Sequence, residues 1–150
     1  VLNSNTLIQN YEVFKRYPSQ LDIKIEKTKF LAKINKNGKV HLVGSNGKFS
    51  NQDYSNLNLP YIFGNPEINE FLYFKKILDQ SPIMFSEIKN LYFFQSKRWD
   101  IELKNNILIK LPEDTVSTIL RNVSEFIKQN NLENSKIIDA RVKNQIIVND

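Results

Sequence analysis

The 150-residue sequence contains no cysteine, and this absence excludes several functional classes at once. Thiol catalysis, disulfide bonds, iron–sulfur clusters and thiolate zinc sites all require cysteine. The chain also has a single histidine, His41. A metal site needs two or three such ligands, and a serine triad would have no other histidine to use as its base. Because His41 stands on a short predicted strand between Val40 and Leu42, we predict a structural side chain there.

Glycine is scarce, and none of the four glycines belongs to a phosphate-binding loop, so nucleotide binding is not predicted. The sequence has no run of about 18 apolar residues and no signal peptide at its start. It begins at Val1 without a methionine, and its first residues do not resemble the start of a domain. We therefore expect this sequence to be a piece of a longer protein.

No block of five like charges occurs, although the formal net charge is +5 and the isoelectric point is near 9.3. A basic balance favours acidic partners such as nucleic acid, anionic lipid or an acidic protein surface. The lysines are dispersed among acidic residues, however, and this pattern favours an ordinary solvated surface. An apolar content of 41% with 25% charged residues predicts a folded globular chain.

The first third of the chain alternates in the manner of β-strands. The predicted features are strands from Tyr11 to Tyr17, Leu21 to Glu26, Phe30 to Ile34 and Lys39 to Val43, a bulge after Lys27, turns at Asn37-Gly38 and Asn46-Gly47, and a polar loop from Phe49 to Pro60. A further strand is predicted from Asn90 to Gln95.

Two segments have helical periodicity. The first begins at Asn65-Pro66-Glu67 and runs to about Gln80, and the second begins at Glu113-Asp114 and ends at Asn130-Asn131. Their predicted buried residues are Ile68, Phe71, Leu72 and Leu78 in the first, and Val116, Ile119, Leu120, Val123 and Ile127 in the second. The predicted fold class is α+β, mainly antiparallel β-sheet with two amphipathic helices.

Residues 96–114 predict a hairpin whose register can be derived. A two-residue turn at Asn105-Asn106 would place Ile101 opposite Lys110. A three-residue loop instead gives the pairs Leu103 with Ile107, Ile101 with Ile109, Trp99 with Leu111, and Asp100 with Lys110. Each apolar cross-strand pair contributes about 0.2–1 kcal/mol, so the second register is predicted. It requires a left-handed residue at Asn106, which asparagine tolerates well.

Several aromatic residues could contact a partner, and each has a structural alternative. Trp99 beside Arg98 could anchor a partner, but its parity with Ile101 predicts a core position. The aromatic run Tyr92 to Phe94 lacks interleaved basic residues, so core packing is predicted rather than base stacking.

Two pairs of carboxylates could be considered for glycoside chemistry. Asp100 and Glu102 lie on the outer face of a predicted strand with Lys110 opposite, and Glu113 and Asp114 lie at a predicted helix start. Both pairs therefore have ordinary structural explanations, and catalysis is not predicted.

The last apolar segment, Gln145 to Val148, follows a strand in which Ile138, Ala140 and Val142 alternate with polar residues. If this segment is the rim of a sheet, its unpaired backbone groups form a docking site for another strand. If it is an inner strand, or is covered by residues after Asp150, no such site exists. The sequence alone leaves both possibilities open.

The ordered motifs of the chain resemble one family. These motifs are Tyr17-Pro18, Leu21-x-Ile23-x-Ile25-Glu26, Ala32, Leu59-Pro60 with Gly64, Arg98-Trp99-Asp100-Ile101-x-Leu103 through Leu111-Pro112-Glu113, and Ile138-Asp139-Ala140-Arg141. Together they are similar to the extracytoplasmic part of the bacterial cell-division protein family FtsQ, called DivIB in Gram-positive bacteria. The chain departs from the family pattern at Asn106, where glycine is common, and at Ala140, where leucine is common.

The resemblance implies a non-enzymatic divisome scaffold without a cofactor or small-molecule substrate. Such proteins are single-pass inner-membrane proteins, anchored by a helix upstream of this fragment, with the fragment on the periplasmic side at the division septum. Residues 1–36 would be the C-terminal part of a POTRA-like domain, including its last β-hairpin, and residues 37–150 an FtsQ-type β domain. The alternative that the residues leave open is a basic domain that binds single-stranded nucleic acid.

The resemblance also implies the partners and the binding residues. FtsB-like and FtsL-like coiled-coil proteins would be bound, with FtsB added as a strand along the last strand of this chain. The implied partner-binding residues are Arg98, Arg141, Val142, Asn144, Gln145, Ile146, Ile147 and Val148. Arg141 is expected to attract acidic residues that flank the incoming strand, and Arg98 is the weaker candidate.

Overall fold

A computed structural model describes residues 2–52, 57–132 and 136–149, which form two compact units. The first unit spans residues 1–58 and the second spans residues 59–150. The domain boundary predicted between residues 36 and 37 lies inside a hairpin of the first unit. The assignment of residues 1–36 and 37–150 to POTRA-like and β domains stays a prediction.

The described part of the first unit consists of strands and one short 3-10 turn. In chain order these are the 3-10 turn Leu2–Ser4, β1 Ile8–Arg16, β2 Gln20–Lys27, β3 Phe30–Lys36, β4 Lys39–Gly44 and β5 Phe49–Ser50. β1 pairs with β2 in an antiparallel hairpin, and β3, β4 and β5 are antiparallel neighbours in that order. The predicted strands of this region are therefore present.

The predicted irregularity after Lys27 is present as a break between β2, which ends at Lys27, and β3, which begins at Phe30. A register shift between Phe30 and Ala32 follows at the start of β3. The turn between β3 and β4 is also confirmed, because Asn37 and Gly38 have positive φ angles of 53° and 80°. The polar loop predicted from residue 49 begins later than expected. Phe49 pairs with Val43 as part of β5, and residues 53–56 of that loop lie outside the described residues.

The second unit combines helices with a mixed sheet. In chain order its elements are β6 Tyr61–Phe63, α1 Ile68–Asp79, the 3-10 turn Phe85–Glu87, β7 Ile88–Phe93, β8 Trp99–Leu103, β9 Leu108–Lys110, α2 Val116–Gln129, β10 Ile137–Asp139 and β11 Ile147–Asn149. Its strands are neighbours in the order β11-β10-β9-β8-β7-β6. The β6/β7 and β9/β10 pairs are parallel and the others are antiparallel. The predicted α+β class is confirmed.

The β8–β9 hairpin has the predicted register. Asp100 pairs with Lys110 and Ile101 pairs with Ile109. The loop closes through two backbone hydrogen bonds, one of which runs from the Asn106 N–H to the Leu103 carbonyl at 2.9 Å. Asn106 has a φ of 64°, as the three-residue loop requires.

Both helices begin later than predicted. The N-cap of α1 is Glu67, not Asn65, because the Glu67 N–H donates to the Glu70 carboxylate at 2.9 Å and this reciprocal cap fixes the helix start. The N-cap of α2 is Thr115, whose φ of 55° is left-handed, so the helical path cannot extend back to residues 113 and 114. The predicted left-handed exit of α2 is present, with Asn131 at a φ of 47°.

The core of the second unit lies between one sheet face and the two helices. Trp99 is 5% exposed and stacks on Phe74 with ring centroids 4.6 Å apart and an interplanar angle of 4°, which confirms its predicted core position. The remaining buried core includes Ile62, Phe71, Leu78, Leu91, Ile101, Ile109, Leu120, Val123 and Ile138. The predicted helix residues Ile68, Leu72, Val116, Ile119 and Ile127 are only half-buried.

Candidate functional site

The C-terminal rim of the second unit is formed by β11, the outermost strand of its described sheet. β11 pairs antiparallel with β10, with Asp139 opposite Ile147, Ile138 opposite Val148 and Ile137 opposite Asn149. Ile138 is buried in the core, so its neighbour Val148 also faces that side, whereas Ile147 lies on the outer face and is 41% exposed.

The backbone direction of this rim follows from the bonds between β9 and β10. The Leu108 N–H donates to the Lys136 carbonyl at 2.9 Å, and the Ala140 N–H donates to the Lys110 carbonyl at 3.0 Å. The backbone N–H and C=O groups of the even-numbered residues of β10 therefore point toward β9. Those of Asp139 point toward β11. Because Ile147 lies opposite Asp139, the N–H and C=O of Ile147 also point toward β10. The N–H and C=O of Val148 consequently point away from the sheet.

Both late strands are shorter than predicted, because local hydrogen bonds intervene. The Asp139 carboxylate accepts the Arg141 N–H at 3.1 Å, which ends β10 before the predicted alternation reaches Val142. Asn144 has a φ of 60°, and the Gln145 N–H donates to the Val142 carbonyl at 3.1 Å in a turn. As a result β11 begins at Ile147, two residues later than the predicted strand start at Gln145.

Arg141 is held by its own chain. Its Nε donates to the Asp139 Oδ1 at 2.8 Å, and a second guanidinium nitrogen donates to the other carboxylate oxygen. These bonds lower the pKa of Asp139 and raise the pKa of Arg141. The side chain is nonetheless exposed at the surface, so Arg141 is oriented by Asp139 and still accessible to a partner.

Arg98 is held in a comparable way on the neighbouring part of the same face. Its guanidinium carbon lies 4.1 Å from the centroid of the Phe94 ring, and its Nε lies 3.3 Å from the Asp100 carboxylate. Asp100 also accepts the Leu111 N–H at 3.2 Å. Burial raises the pKa of Asp100, and the charge of Arg98 opposes that rise.

The two predicted arginines, distant in sequence, line one shallow depression of about 290 Å³. The lining residues are Tyr92, Phe94, Arg98, Asp100, Leu108, Lys110 and Arg141, and we call this surface the arginine depression. Three cations and two carboxylates, Asp100 and Asp139, lie in or beside it, which leaves a local charge of about +1 by counting. Such a surface can receive an apolar segment that carries carboxylates.

The other predicted binding residues lie elsewhere around the same rim. Asn144, Gln145 and Ile146 line a second cavity, of about 440 Å³ against α2, which shares Arg141 with the arginine depression. Val142 is 48% exposed in the turn between β10 and β11. Only Ile147 and Val148 belong to β11 itself.

Sequence reasoning missed Phe94 and Tyr92 as surface residues and assigned them to the core. Phe94 is 38% exposed beneath Arg98, and Tyr92 stacks on the exposed Phe63 with ring centroids 5.1 Å apart. The core prediction was correct for Phe93, which is half-buried and has its ring centroid 4.8 Å from that of Trp99. Leu91, on the same face of the strand, is fully buried. Strand alternation from Leu91 would have placed Tyr92 on the opposite face, and this was the available signal.

The two β8 carboxylates considered for catalysis, Asp100 and Glu102, have structural partners. Glu102 accepts hydrogen bonds from Lys89 and Asn90 at 2.8 Å each and from the Tyr92 hydroxyl. His41 has its Nδ1 3.0 Å from the Lys39 carbonyl oxygen. Within residues 2–52, 57–132 and 136–149, no group of three or more histidine, aspartate or glutamate side chains is arranged to hold a metal ion. Among the same residues, no helix has the length and apolar character needed to cross a membrane.

Comparison with known proteins gives one consistent family. The family model described as "Cell division protein FtsQ/DivIB, C-terminal" matches residues 32–141. Cell division protein FtsQ of Bradyrhizobium diazoefficiens is 28% identical over 151 residues, covering 98% of this chain and 44% of that protein. Cell division protein FtsQ of Rickettsia felis is 28% identical over 153 residues, covering 98% of this chain and 56% of that protein. The chain thus spans about half the length of these relatives.

A solved structure is also similar to this chain. It is the major extracytoplasmic domain of the trans isomer of the cell-division protein DivIB from Geobacillus stearothermophilus. The sequences are 9% identical, the TM-score is 0.48, and the likeness covers 72% of this chain and 99% of the other.

Proposed function

Because the chain belongs to the FtsQ/DivIB family of cell-division proteins, we propose that it is a non-enzymatic divisome scaffold that binds FtsB-like and FtsL-like coiled-coil proteins. An FtsB-type segment adds as a strand to β11. The observation that carries this proposal is the outward direction of the Val148 N–H and C=O on the outermost strand of the described sheet. Edge strands of this kind are templates for pairing with another chain.

The rim strand β11 is too short for its backbone hydrogen bonds alone to account for the affinity for the partner. β11 has three residues, and only the Val148 backbone within it points outward. A net backbone hydrogen bond contributes about 0.5–1.5 kcal/mol, whereas micromolar binding requires about 8 kcal/mol. Strand pairing at β11 therefore sets the register of the partner, and side-chain contacts supply most of the binding free energy.

Two groups of side chains are suited to supply these contacts. Ile147 and Val142 are exposed apolar residues at the rim. Arg98 and Arg141 line the arginine depression, whose balance of charge is positive. A partner segment with apolar residues next to glutamate or aspartate complements both groups.

Partner binding would take place outside the cytoplasm. The chain would lie on the extracytoplasmic side of the inner membrane at the division septum, as part of a longer protein with one membrane-spanning helix upstream. Family membership supports this location, since the relatives are cell-division proteins and are about twice as long as the chain. A pull-down with the extracytoplasmic parts of FtsB and FtsL tests the partner assignment itself.

The strand-addition step is tested with Val148→Pro. Proline removes the outward N–H while leaving the Ile147 bonds to β10 in place. We expect isothermal titration calorimetry with the extracytoplasmic part of FtsB to show about fivefold weaker binding or more. Val148→Ala is the matched control, because it loses the side chain but retains the N–H. Equal affinity of the proline and alanine variants, with both folded by circular dichroism, would place docking elsewhere.

One observation favours the nucleic-acid alternative. Phe63 and Phe94 are exposed aromatic residues on the outer sheet face, and Arg98 lies over Phe94. The carboxylates of Asp100 and Glu102 lie on β8 of the same face and would repel the phosphate backbone of a nucleic acid. Binding of a single-stranded oligonucleotide that weakens steeply with salt would support the alternative. We expect no such salt-dependent binding.

A further inference from the structure

A second concave surface lies on the helix side of the second unit. It is a groove of about 720 Å³ between α1 and the segment that leads into α2. We define this helix groove by Tyr73 and Ile77 of α1, by Phe74 and Trp99 at its floor, and by residues 112–117 on its far wall. None of its lining residues belongs to β10 or β11, although Pro112, Asp114 and Thr115 also line the cavity beside Gln145 and Ile146.

The floor of the helix groove is aromatic. Trp99 stacks on Phe74, and the Phe93 ring centroid lies 4.8 Å from that of Trp99. Tyr73 on the α1 wall is 69% exposed, and the neighbouring Ile77 is half-buried. Phe74 and Trp99 are only 2% and 5% exposed, so the accessible apolar surface of the groove comes from Tyr73, Ile77 and Phe93 above them. Core packing beneath already holds this surface in place, so an inserted apolar side chain would not need to order it.

The wall of the helix groove is acidic, although the whole chain is basic. Glu70, Glu113 and Asp114 line the groove together with a single cation, Lys97. Lys97 pairs with Glu70 at 3.3 Å. Among the described residues no cation forms an ion pair with Glu113 or Asp114, and both are exposed. The groove therefore carries a local charge of about −2 by counting, against +5 for the chain.

The carboxylates of Glu113 and Asp114 also have a structural effect. They directly precede α2, where negative charge interacts favourably with the helix dipole. That effect explains their position relative to α2 but not the aromatic floor beside them. An acidic wall next to an apolar floor is complementary to a segment that has a cation adjacent to an apolar anchor.

We propose that the helix groove is a second docking site, which binds a peptide segment of a partner protein carrying lysine or arginine next to leucine or phenylalanine. The apolar side chain packs against Tyr73, Ile77 and Phe93, above the buried Trp99. The cation pairs with Glu113 and Asp114. This site goes beyond strand addition at β11 and would let one scaffold hold two segments of opposite charge.

The test uses a defined probe, the capped peptide Ser-Lys-Leu-Phe-Lys-Ser, and the full chain labelled with nitrogen-15. Trp99 is the only tryptophan of the sequence and lies at the groove floor, so its indole N–H cross-peak is a specific reporter. We expect this cross-peak to shift saturably with the lysine peptide. The matched peptide in which glutamate replaces both lysines is expected to leave the position of the Trp99 cross-peak unchanged.

Variants separate the groove from general charge effects. The double variant Glu113→Gln with Asp114→Asn should weaken binding of the lysine peptide about fivefold. The control Glu87→Gln with Glu125→Gln removes two exposed carboxylates outside the groove and should leave the affinity unchanged. Tyr73→Ala should weaken binding through the apolar wall.

Three outcomes overturn the proposal. They are no saturable shift of the Trp99 indole, equal response to the lysine and glutamate peptides, and equal loss of affinity in the groove and control double variants. The Val148→Pro variant should bind the lysine peptide as the wild type does. Failure of strand addition and failure of the helix groove are therefore seen in different measurements.

Discussion

Two carboxylates two residues apart on β8 have opposite environments. Burial would raise the pKa of Glu102, but hydrogen bonds from Lys89, Tyr92 and Asn90 outweigh it and lower the pKa to about 2. At Asp100 burial dominates and the pKa is raised, despite the charge of Arg98. Glu102 also contributes, after burial, to raising the pKa of Tyr92 to about 12. The charge of Glu102 therefore stabilises the outer face on which the arginine depression lies, whereas the charge of Asp100 is disfavoured there by burial and is offset in part by Arg98.

The lowered pKa of Glu102 predicts a specific acid sensitivity. Because the folded-state pKa of about 2 lies below the usual value of 4.5, the stabilisation is present above pH 4.5 and is lost as pH falls toward 2. Glu102→Gln should lower the free energy of unfolding by about 2 kcal/mol at neutral pH, and this difference should shrink to near zero by about pH 2. Urea unfolding across this pH range measures it. Glu125→Gln on the exposed face of α2 is the control, and an equal pH profile for both variants would contradict the account.

Arg141 predicts a salt-dependent contribution to partner binding. Arg141→Gln removes one charge from the arginine depression and also releases Asp139, which would then repel an acidic partner. Its affinity for the extracytoplasmic part of FtsB should fall about fivefold at low ionic strength, and this deficit should shrink at high ionic strength. Calorimetry at two salt concentrations measures the effect, with Arg141→Lys as the charge-preserving control. A deficit that does not depend on salt would show that Arg141 acts through packing alone.

At the scale of elements, local patterns predicted some boundaries well and others poorly. The β8–β9 register followed from apolar pairing and from the left-handed tolerance of Asn106. The end of β10 was missed because Asp139 accepts the Arg141 N–H, and the start of β11 was missed because of the turn at Asn144. The left-handed backbone conformation of Thr115 likewise makes α2 begin later than predicted. Alternation in the sequence cannot reveal such bonds, because they depend on conformations of single residues.

At the scale of the whole molecule, the fold class and the existence of a strand near residues 145–148 could be predicted from the sequence. The position of that strand at the rim and the arrangement around it could not. Alternation does not give strand direction, so the parallel pairs β6/β7 and β9/β10 could not be derived from it. The parallel β9/β10 pair is what fixes the outward direction of Val148. The meeting of Arg98 with Arg141 is likewise a tertiary feature, produced by strands that are distant in sequence.

Strand addition at β11 predicts that the partner changes the environment of one particular amide. The Val148 N–H points away from β10, whereas the Ile147 N–H points toward it. Residue-resolved hydrogen exchange, with and without the extracytoplasmic part of FtsB, tests this most directly. We expect Val148 to exchange without protection in the free chain and to become at least about tenfold slower in the saturated complex, while Ile147 is protected in both. A saturated complex in which the Val148 amide exchanges as fast as in the free chain would contradict strand addition at this rim.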